Sequence, residues 1–377
     1  VTGPKYAAAR EVAPKIAARF TRPRSGSAQP DAPAPAPLDI GDVELLIDAA
    51  FWASLRREEG YVPRISLALV SPDEAGSPLF FERPLPLSAV SLVQVSPAVE
   101  RPGIHLGVSR QNGSLSVWGT TRAVPGHCMV LEVAAPGLLV VKHQRDEGTK
   151  YVNVAVLEGD RIKVISNSAT GSPDCPGLVT SLLRIEASGG WDSSLSPLVE
   201  LAVSMRAHGR GGAMLIVPSS TERWRESIVH PIPYAVSPMF TGLADLAVRA
   251  EGEHTARDWQ DQMLETVKSV AGLTAVDGAA VLTHRYELLA FGAKIVRRRG
   301  SAVVEQMSVA EPIEGGDAMV VHPSRLGNTR HLSAAQFVHD QRDSMALVAS
   351  QDGRFTIFAW SPCDEMVHAY RVEALLL

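Results

Sequence analysis

The chain has 377 residues, of which 45% are hydrophobic and 20% charged, values of an ordinary folded protein with two domains or three. This composition excludes collagen-like, wholly disordered and disulfide-scaffold classes. Lys and Arg number 36 against 41 Asp and Glu, a net charge of -5, so the surface as a whole is not built to hold nucleic acid and no nucleic-acid partner is expected.

Residues 1–38 differ from the rest. Lys5, Arg10, Lys15, Arg19, Arg22 and Arg24 make them basic, and residues 6–20 have the pattern of a short amphipathic helix. The stretch 25–38 alternates Pro and Ala and reads as an extended linker, because proline fixes φ and removes a donor. The whole segment is expected to be a solvated basic tail and linker. From Asp39 the pattern turns globular. A helix is expected over 42–55, followed by short strands at Ile65–Val70, Ser91–Val95, Ile104–Val108, Ser114–Trp118, Met129–Val133, Leu138–Lys142, Val152–Leu157 and Arg161–Ile165. Asn112-Gly113 and Gly159-Asp160 read as hairpin turns. Residues 39–167 are thus expected to form a β-rich α+β domain.

Residues 168–193 are expected to connect two domains, with one short helix at Leu178–Ile185. In residues 194–377 helices and strands alternate: helices at Ser196–Ala207, Ala256–Val270 and Leu332–Val338, strands at Ala213–Val217, Ala279–Thr283, Leu288–Ile295, Met345–Ala349 and Phe355–Ala359. That alternation predicts an α/β domain with a mixed sheet. No run approaches the ~20 apolar residues of a membrane span. Cys128, Cys175 and Cys363 lie far apart and form no CxxC pair, as expected of reduced thiols in a cytoplasmic protein.

Three segments of the second domain have residue types suited to a site. Asp277-Gly278-Ala279 puts a carboxylate at a turn beside a strand, where it can position a hydroxyl or a metal; an Asp-Gly pair is also an ordinary turn. Gly327-Asn328-Thr329-Arg330-His331 places a hydroxyl, a guanidinium and an imidazole near a helix N-terminus, where phosphate is favoured; a simple cap is the plainer reading. Ser350-Gln351-Asp352-Gly353 has the form of a hairpin loop. His208-Gly209-Arg210-Gly211-Gly212 suits an anion loop or a tight helix-to-strand turn, without the Lys-Ser/Thr of a P-loop. Arg297-Arg298-Arg299 reads as a solvated loop, His284-Arg285-Tyr286 as a turn, and Trp224 as a partly buried surface residue.

The order of these segments resembles the diadenylate cyclase domain, which joins two ATP molecules into cyclic di-AMP. The carrying residues are Gly212-Ala-Met-Leu-Ile-Val217, Asp277-Gly-Ala279, Ala290-Phe-Gly-Ala293, Gly327-Asn-Thr-Arg-His-Leu-Ser-Ala335 and Ser350-Gln-Asp-Gly353, over roughly 195–360. Ala53-Ser-Leu-Arg-Arg-Glu-Glu-Gly60, Trp118-Gly119 and His208–Gly212 resemble a branch of bacterial relatives described as predicted sensor domains, DACNV, in which a β-rich domain precedes a cyclase-like one.

The resemblance implies a mixed-sheet diadenylate cyclase-like α/β domain behind a β-rich α+β domain. It implies a ligand site of Asp277, Gly278, Ala279, Thr329, Arg330, His331, Ser350 and Gln351, with Asp277 catalytic only in an active enzyme. Two family positions differ: Leu332 replaces a phosphate-gripping arginine, and Gln351 replaces a glutamate of the metal site. Both losses fall on the metal-triphosphate end. The expectation is therefore a cytoplasmic sensor for an adenine nucleotide or cyclic dinucleotide, acting with a second copy of itself or an effector protein. The alternative is an active cyclase, which would take Mg or Mn.

Overall fold

The structure, a computed structural model, describes residues 5–20, 37–57, 60–144, 151–166, 179, 197–249, 257–327 and 329–377. The chain divides into two compact units, Val1–Ile165 (which also takes in Leu377) and Ser166–Leu376. Each is built on one mixed sheet, and seven α-helices lie among the described residues, so the protein is α/β. The expected connection 168–193 and its helix lie outside the described residues, apart from residue 179.

The first unit holds α1 (Ala7–Phe20), α2 (Ile40–Ser54) and α3 (Ala89–Val95). Its strands are β1 (Ile65–Leu69), β2 (Leu79–Pro86), β3 (His105–Gln111), β4 (Ser114–Thr121), β5 (Met129–Ala135), β6 (Leu138–Gln144), β7 (Tyr151–Glu158) and β8 (Arg161–Val164). They pair in the order β2-β4-β3-β1-β5-β6-β7-β8, with β1 and β3 parallel and the other pairs antiparallel. Alternate residues such as Leu67, Leu106, Leu131, Leu139 and Leu157 meet the three helices in one core. Asn112 and Gly113 take positive φ, as the expected two-residue turn requires.

Two expectations for this unit are corrected. Ser91–Val95 is helix, not strand: Ser88 caps α3 by accepting from the Ser91 N–H at 3.1 Å, and Leu92 and Val93 turn into the core together. Five apolar residues carry too little periodicity to separate the two states. Residues 5–20 are not a solvated tail. The helix expected over 6–20 forms as α1, but Ala9, Val12, Ala13 and Ile16 make a stripe at helical spacing that is fully buried against the core. Tyr6 stacks on Phe51 of α2 with ring centroids 3.6 Å apart, and its N–H donates to Asp48 Oδ1 at 2.6 Å. Pro14 lies on the exposed side, where water can reach the carbonyl left without its helical donor. Most of the expected linker, 21–36, lies outside the described residues.

The second unit holds α4 (Pro197–Ala207), α5 (Gly242–Ala247), α6 (Arg257–Leu273) and α7 (Thr329–Asp340). Its strands are β9 (Gly212–Val217), β10 (Tyr234–Phe240), β11 (Ala279–Thr283), β12 (Leu288–Ala293), β13 (Met307–Ala310), β14 (Met319–Val321), β15 (Met345–Ala349), β16 (Phe355–Ser361) and β17 (Met366–Arg371). The order is β10-β12-β11-β9-β15-β16-β17-β13-β14, parallel at β11/β9 and β13/β17. Ala213, Leu215, Val281, Val348 and Phe358 pack with Ala334, Phe337 and Val338 of α7. Their neighbours Met214, Ile216, Ala280 and Leu282, also buried, face the opposite way by strand alternation. Trp224, expected to be partly buried, is only 2% exposed, with the Arg225 guanidinium 4.7 Å from its ring centre. His284-Arg285-Tyr286 makes the expected turn, with Tyr286 at φ 66.

Candidate functional site

Register brings the sequence motifs to one end of the second sheet. Ala279 of β11 lies beside Ala213 of β9, and Gly212 pairs with Ala349 of β15. Because β9 and β11 are parallel and β15 runs against them, the segments before β9 and β11 and the segment after β15 emerge together. Those segments are Arg210-Gly211, Asp277-Gly278 and Ser350-Gln351.

The helix-to-strand turn at 208–211 is held from both sides. His208 Nδ1 accepts from the Arg210 N–H at 3.1 Å, which puts the ring proton on Nε2, 3.2 Å from Thr274 Oγ1. Burial lowers the His208 pKa and Arg210 lowers it further, so the neutral tautomer that this turn needs is favoured. Gly211, at φ 71, then makes room for a cation. A methyl group there would sit 2.8 Å from Arg330 Nη1 and 3.3 Å from both the Ala349 carbonyl oxygen and Gln351 Cγ. The Arg330 guanidinium therefore lies against the glycine backbone, with Gln351 beside it. Gln351 Nε2 donates to the Arg210 carbonyl at 3.3 Å.

Helix α7 begins at Thr329, three residues before the expected start, so Thr329, Arg330 and His331 form its first turn. His331 is only 3% exposed and faces Phe358 edge-on at 6.1 Å. Gly327 permits this approach, since a methyl group on it would reach within 2.5 Å of His331 Nδ1. Burial lowers the His331 pKa; Asp352 opposes the shift, while Arg354, Arg330 and Arg371 reinforce it. Three guanidiniums thus act on one neutral imidazole. Thr329 and Gln351 are exposed, and Ser350 is half-buried in the expected hairpin, where the Gly353 N–H donates to its carbonyl at 3.2 Å. Arg206 of α4 donates through Nε to the Gly353 carbonyl at 3.2 Å.

Asp277 stands apart from this group. Its side chain is 86% exposed and pairs with Lys294 Nζ at 3.5 Å. Two strand spacings, about 10 Å, separate β11 from β15. Gly278, at φ 107, packs backbone to backbone on Gly292, where a methyl group would fall 2.4 Å from the Gly292 carbonyl carbon. The structure therefore brings Arg330 and Gln351 together at Gly211, packs His331 beside Gly327 and Phe358, and sets Asp277, Gly278 and Ala279 on the same sheet end as Gly211. Sequence reasoning missed Arg206, Lys294, Arg354 and Arg371 as neighbours. Only Lys294 carried a signal, directly after Ala290-Phe-Gly-Ala293.

The residues present do not suit a resident divalent cation. Among the described residues no three His, Cys, Asp or Glu side chains gather as ligands. Asp277 faces an ammonium, and Gln351 brings no charge to the other side. The first unit holds a cavity of about 280 Å³ lined by Arg56, Arg57, Val90, Val93 and Gln94, between the end of α2 and α3. Among the described residues, no helix is long and apolar enough to cross a membrane.

The fold defines a protein of two α/β units with the motif-bearing sheet end in the second. Residues 31–122, in the first, match the model of a family described as a probable sensor domain, DACNV. No curated protein matches the chain.

Proposed function

We propose that the protein is a nucleotide sensor whose second unit, a catalytically degenerate relative of the diadenylate cyclase domain, binds an adenine nucleotide or cyclic dinucleotide. The observation that carries this reading is the Arg330 guanidinium laid over Gly211 beside Gln351, with Arg354 and Arg371 acting on the same imidazole. An arginine fork laid over a glycine in the first turn of a helix suits an anion. Thr329, Arg330 and His331 hold phosphate in this reading, Asp277 accepts from a ribose hydroxyl, and Ser350 and Gln351 line the space between. The match of residues 31–122 to a probable sensor family supports sensing over turnover.

Leu332 and Gln351 lower the charge available for a metal-bound triphosphate, so the ligand carries fewer negative charges than the triphosphate of ATP. AMP and cyclic di-AMP fit that description. The bound state is read by a second copy of the chain or by an effector protein. Calorimetric titration of AMP, ATP and cyclic di-AMP into the full chain tests the reading. One site per chain, with AMP or cyclic di-AMP tighter than ATP-Mg, is expected. Binding of none of them rejects it. Sustained formation of cyclic di-AMP from ATP with Mg or Mn, abolished by Asp277→Asn, replaces the sensor with an active cyclase.

A further inference from the structure

We propose that Tyr234 is the platform on which the base of the nucleotide stacks; this rests on the nucleotide reading above. Tyr234 opens β10, the edge strand of the second sheet, and pairs with Phe291 of β12. The two rings stack with centroids 4.8 Å apart and planes 10° apart, yet Tyr234 remains 49% exposed. One side of the Tyr234 ring is thus fixed on Phe291, and about half of its surface stays open to water.

What distinguishes this pair from an ordinary surface contact is its setting. Gly292, at φ 66, lies under the Tyr234 ring: a methyl group there would come within 2.7 Å of Tyr234 Cδ2 and 3.4 Å of the Asp277 carbonyl oxygen. The next glycine in the stack is Gly278, which leads back to Asp277 and its partner Lys294. An exposed aromatic face, two glycines without side-chain bulk, a carboxylate and an ammonium therefore follow one another. At the other side of the sheet end lies Arg330 on Gly211. Three strand spacings, about 14 Å, separate β10 from β9 at the same end of the sheet.

A nucleotide has the same sequence of chemistries: a flat apolar base, a hydroxyl-bearing sugar and an anionic phosphate. An aromatic ring stacks on any base through its π-face, without hydrogen-bond readout. Tyr234 is well suited, because Phe291 and Gly292 already fix its rotamer and little side-chain entropy is lost on binding. Tyr234 thus supplies affinity for the base, while Arg330 supplies affinity for the phosphate.

The test uses the full chain with AMP and cyclic di-AMP, comparing wild type with Tyr234→Phe, Tyr234→Leu, Tyr234→Ala and Arg330→Ala. Tyr234→Phe should bind within about threefold of wild type, since the π-face remains. Tyr234→Leu keeps an apolar group on Phe291 but no π-face, and it should bind roughly 5- to 100-fold more weakly, as should Tyr234→Ala. Thermal melting verifies that each variant folds. If Tyr234→Leu and Tyr234→Ala bind as wild type does while Arg330→Ala does not, the platform is wrong and the nucleotide site stands. Equal rescue by Leu and Phe assigns Tyr234 a packing role and also overturns the platform. Wild type that binds neither nucleotide overturns both.

Discussion

His105, buried in the first unit, and His331, one of the histidines buried in the second, are set in different surroundings. His105 of the first sheet is 1% exposed, its Nδ1 lies 2.7 Å from Ser66 Oγ and its Nε2 3.0 Å from the Tyr151 hydroxyl. Both ring nitrogens are satisfied by neutral hydroxyls, with the Lys142–Glu132 pair (2.5 Å) completing the surroundings. Burial lowers the His105 pKa, Glu132 opposes and Lys142 adds, while burial pushes Tyr151 up to about 12. His331 is equally enclosed but sits among Arg330, Arg354 and Arg371. The first arrangement is a closed polar network that fixes one packing. The second gathers guanidiniums beside the imidazole at one end of a sheet, with Arg354 paired to Asp352 and Arg371 to Glu373. Neutral hydroxyls hold the ring in one unit, and charged side chains surround it in the other.

That contrast breaks if the histidine of the first unit influences the ligand. His105→Ala leaves a cavity and strands the Ser66 and Tyr151 hydroxyls, so urea denaturation should show a loss of about 3–4 kcal/mol with cyclic di-AMP affinity unchanged. A weakened affinity would make the first unit part of the site. Next in size is Ile16→Ala in α1, expected to lower stability by about 2–4 kcal/mol because the side chain is fully buried. A loss below about 0.5 kcal/mol would return α1 to the status of a tail.

Arg330→Ala should weaken nucleotide binding by roughly 10- to 100-fold, the worth of one charge-assisted bond, about 1.5–3 kcal/mol. The pH profile separates the histidines further. Both have folded pKa values below the ordinary ~6.5. The unfolded chain therefore takes up protons first as pH falls below ~6.5, and stability declines from there down to the folded pKa. A bound anion acts on His331 in the opposite direction, favouring its charged form. Affinity for cyclic di-AMP, whose phosphodiesters do not titrate in this range, should rise as pH falls from 7 to 5, by at most about tenfold per pH unit for one proton. Falling affinity across that range would contradict phosphate beside His331. The smallest effect is on stability in Asp277→Asn, under about 0.5 kcal/mol, because the pair with Lys294 is exposed. The same variant should still weaken nucleotide binding if Asp277 touches the ribose.

Much of this was legible in the sequence, and the exceptions have physical causes. The central strands β9, β11, β15 and β16 are short apolar runs bounded by turns, and they were read correctly. Edge strands β2 and β10 were missed because Pro84, Pro86 and Pro238 interrupt them and their residues are mostly exposed. The burial of α1 was hidden because alanines at positions 8, 9 and 13 carry little apolar signal, yet they let one helix lie closely on another. In the site, the glycines and the Thr329-Arg330-His331 run announced themselves. The placement of Arg330 on Gly211 did not, because β9 and α7 are more than a hundred residues apart in the chain and only sheet register brings them together. Tyr234 had no local signal at all: its meaning depends on Phe291 and Gly292 of the neighbouring strand.

The central claim is that the ligand site lies in the second unit, although the family match to a sensor domain lies in the first. Hydrogen exchange of the full chain with and without saturating cyclic di-AMP tests it most directly. The account predicts slowed exchange at 206–212, 277–279, 329–332 and 349–354. The α2–α3 cavity around Arg56, Arg57 and Gln94 should be unchanged. Protection confined to that cavity, with the end of the second sheet unaffected, would contradict it.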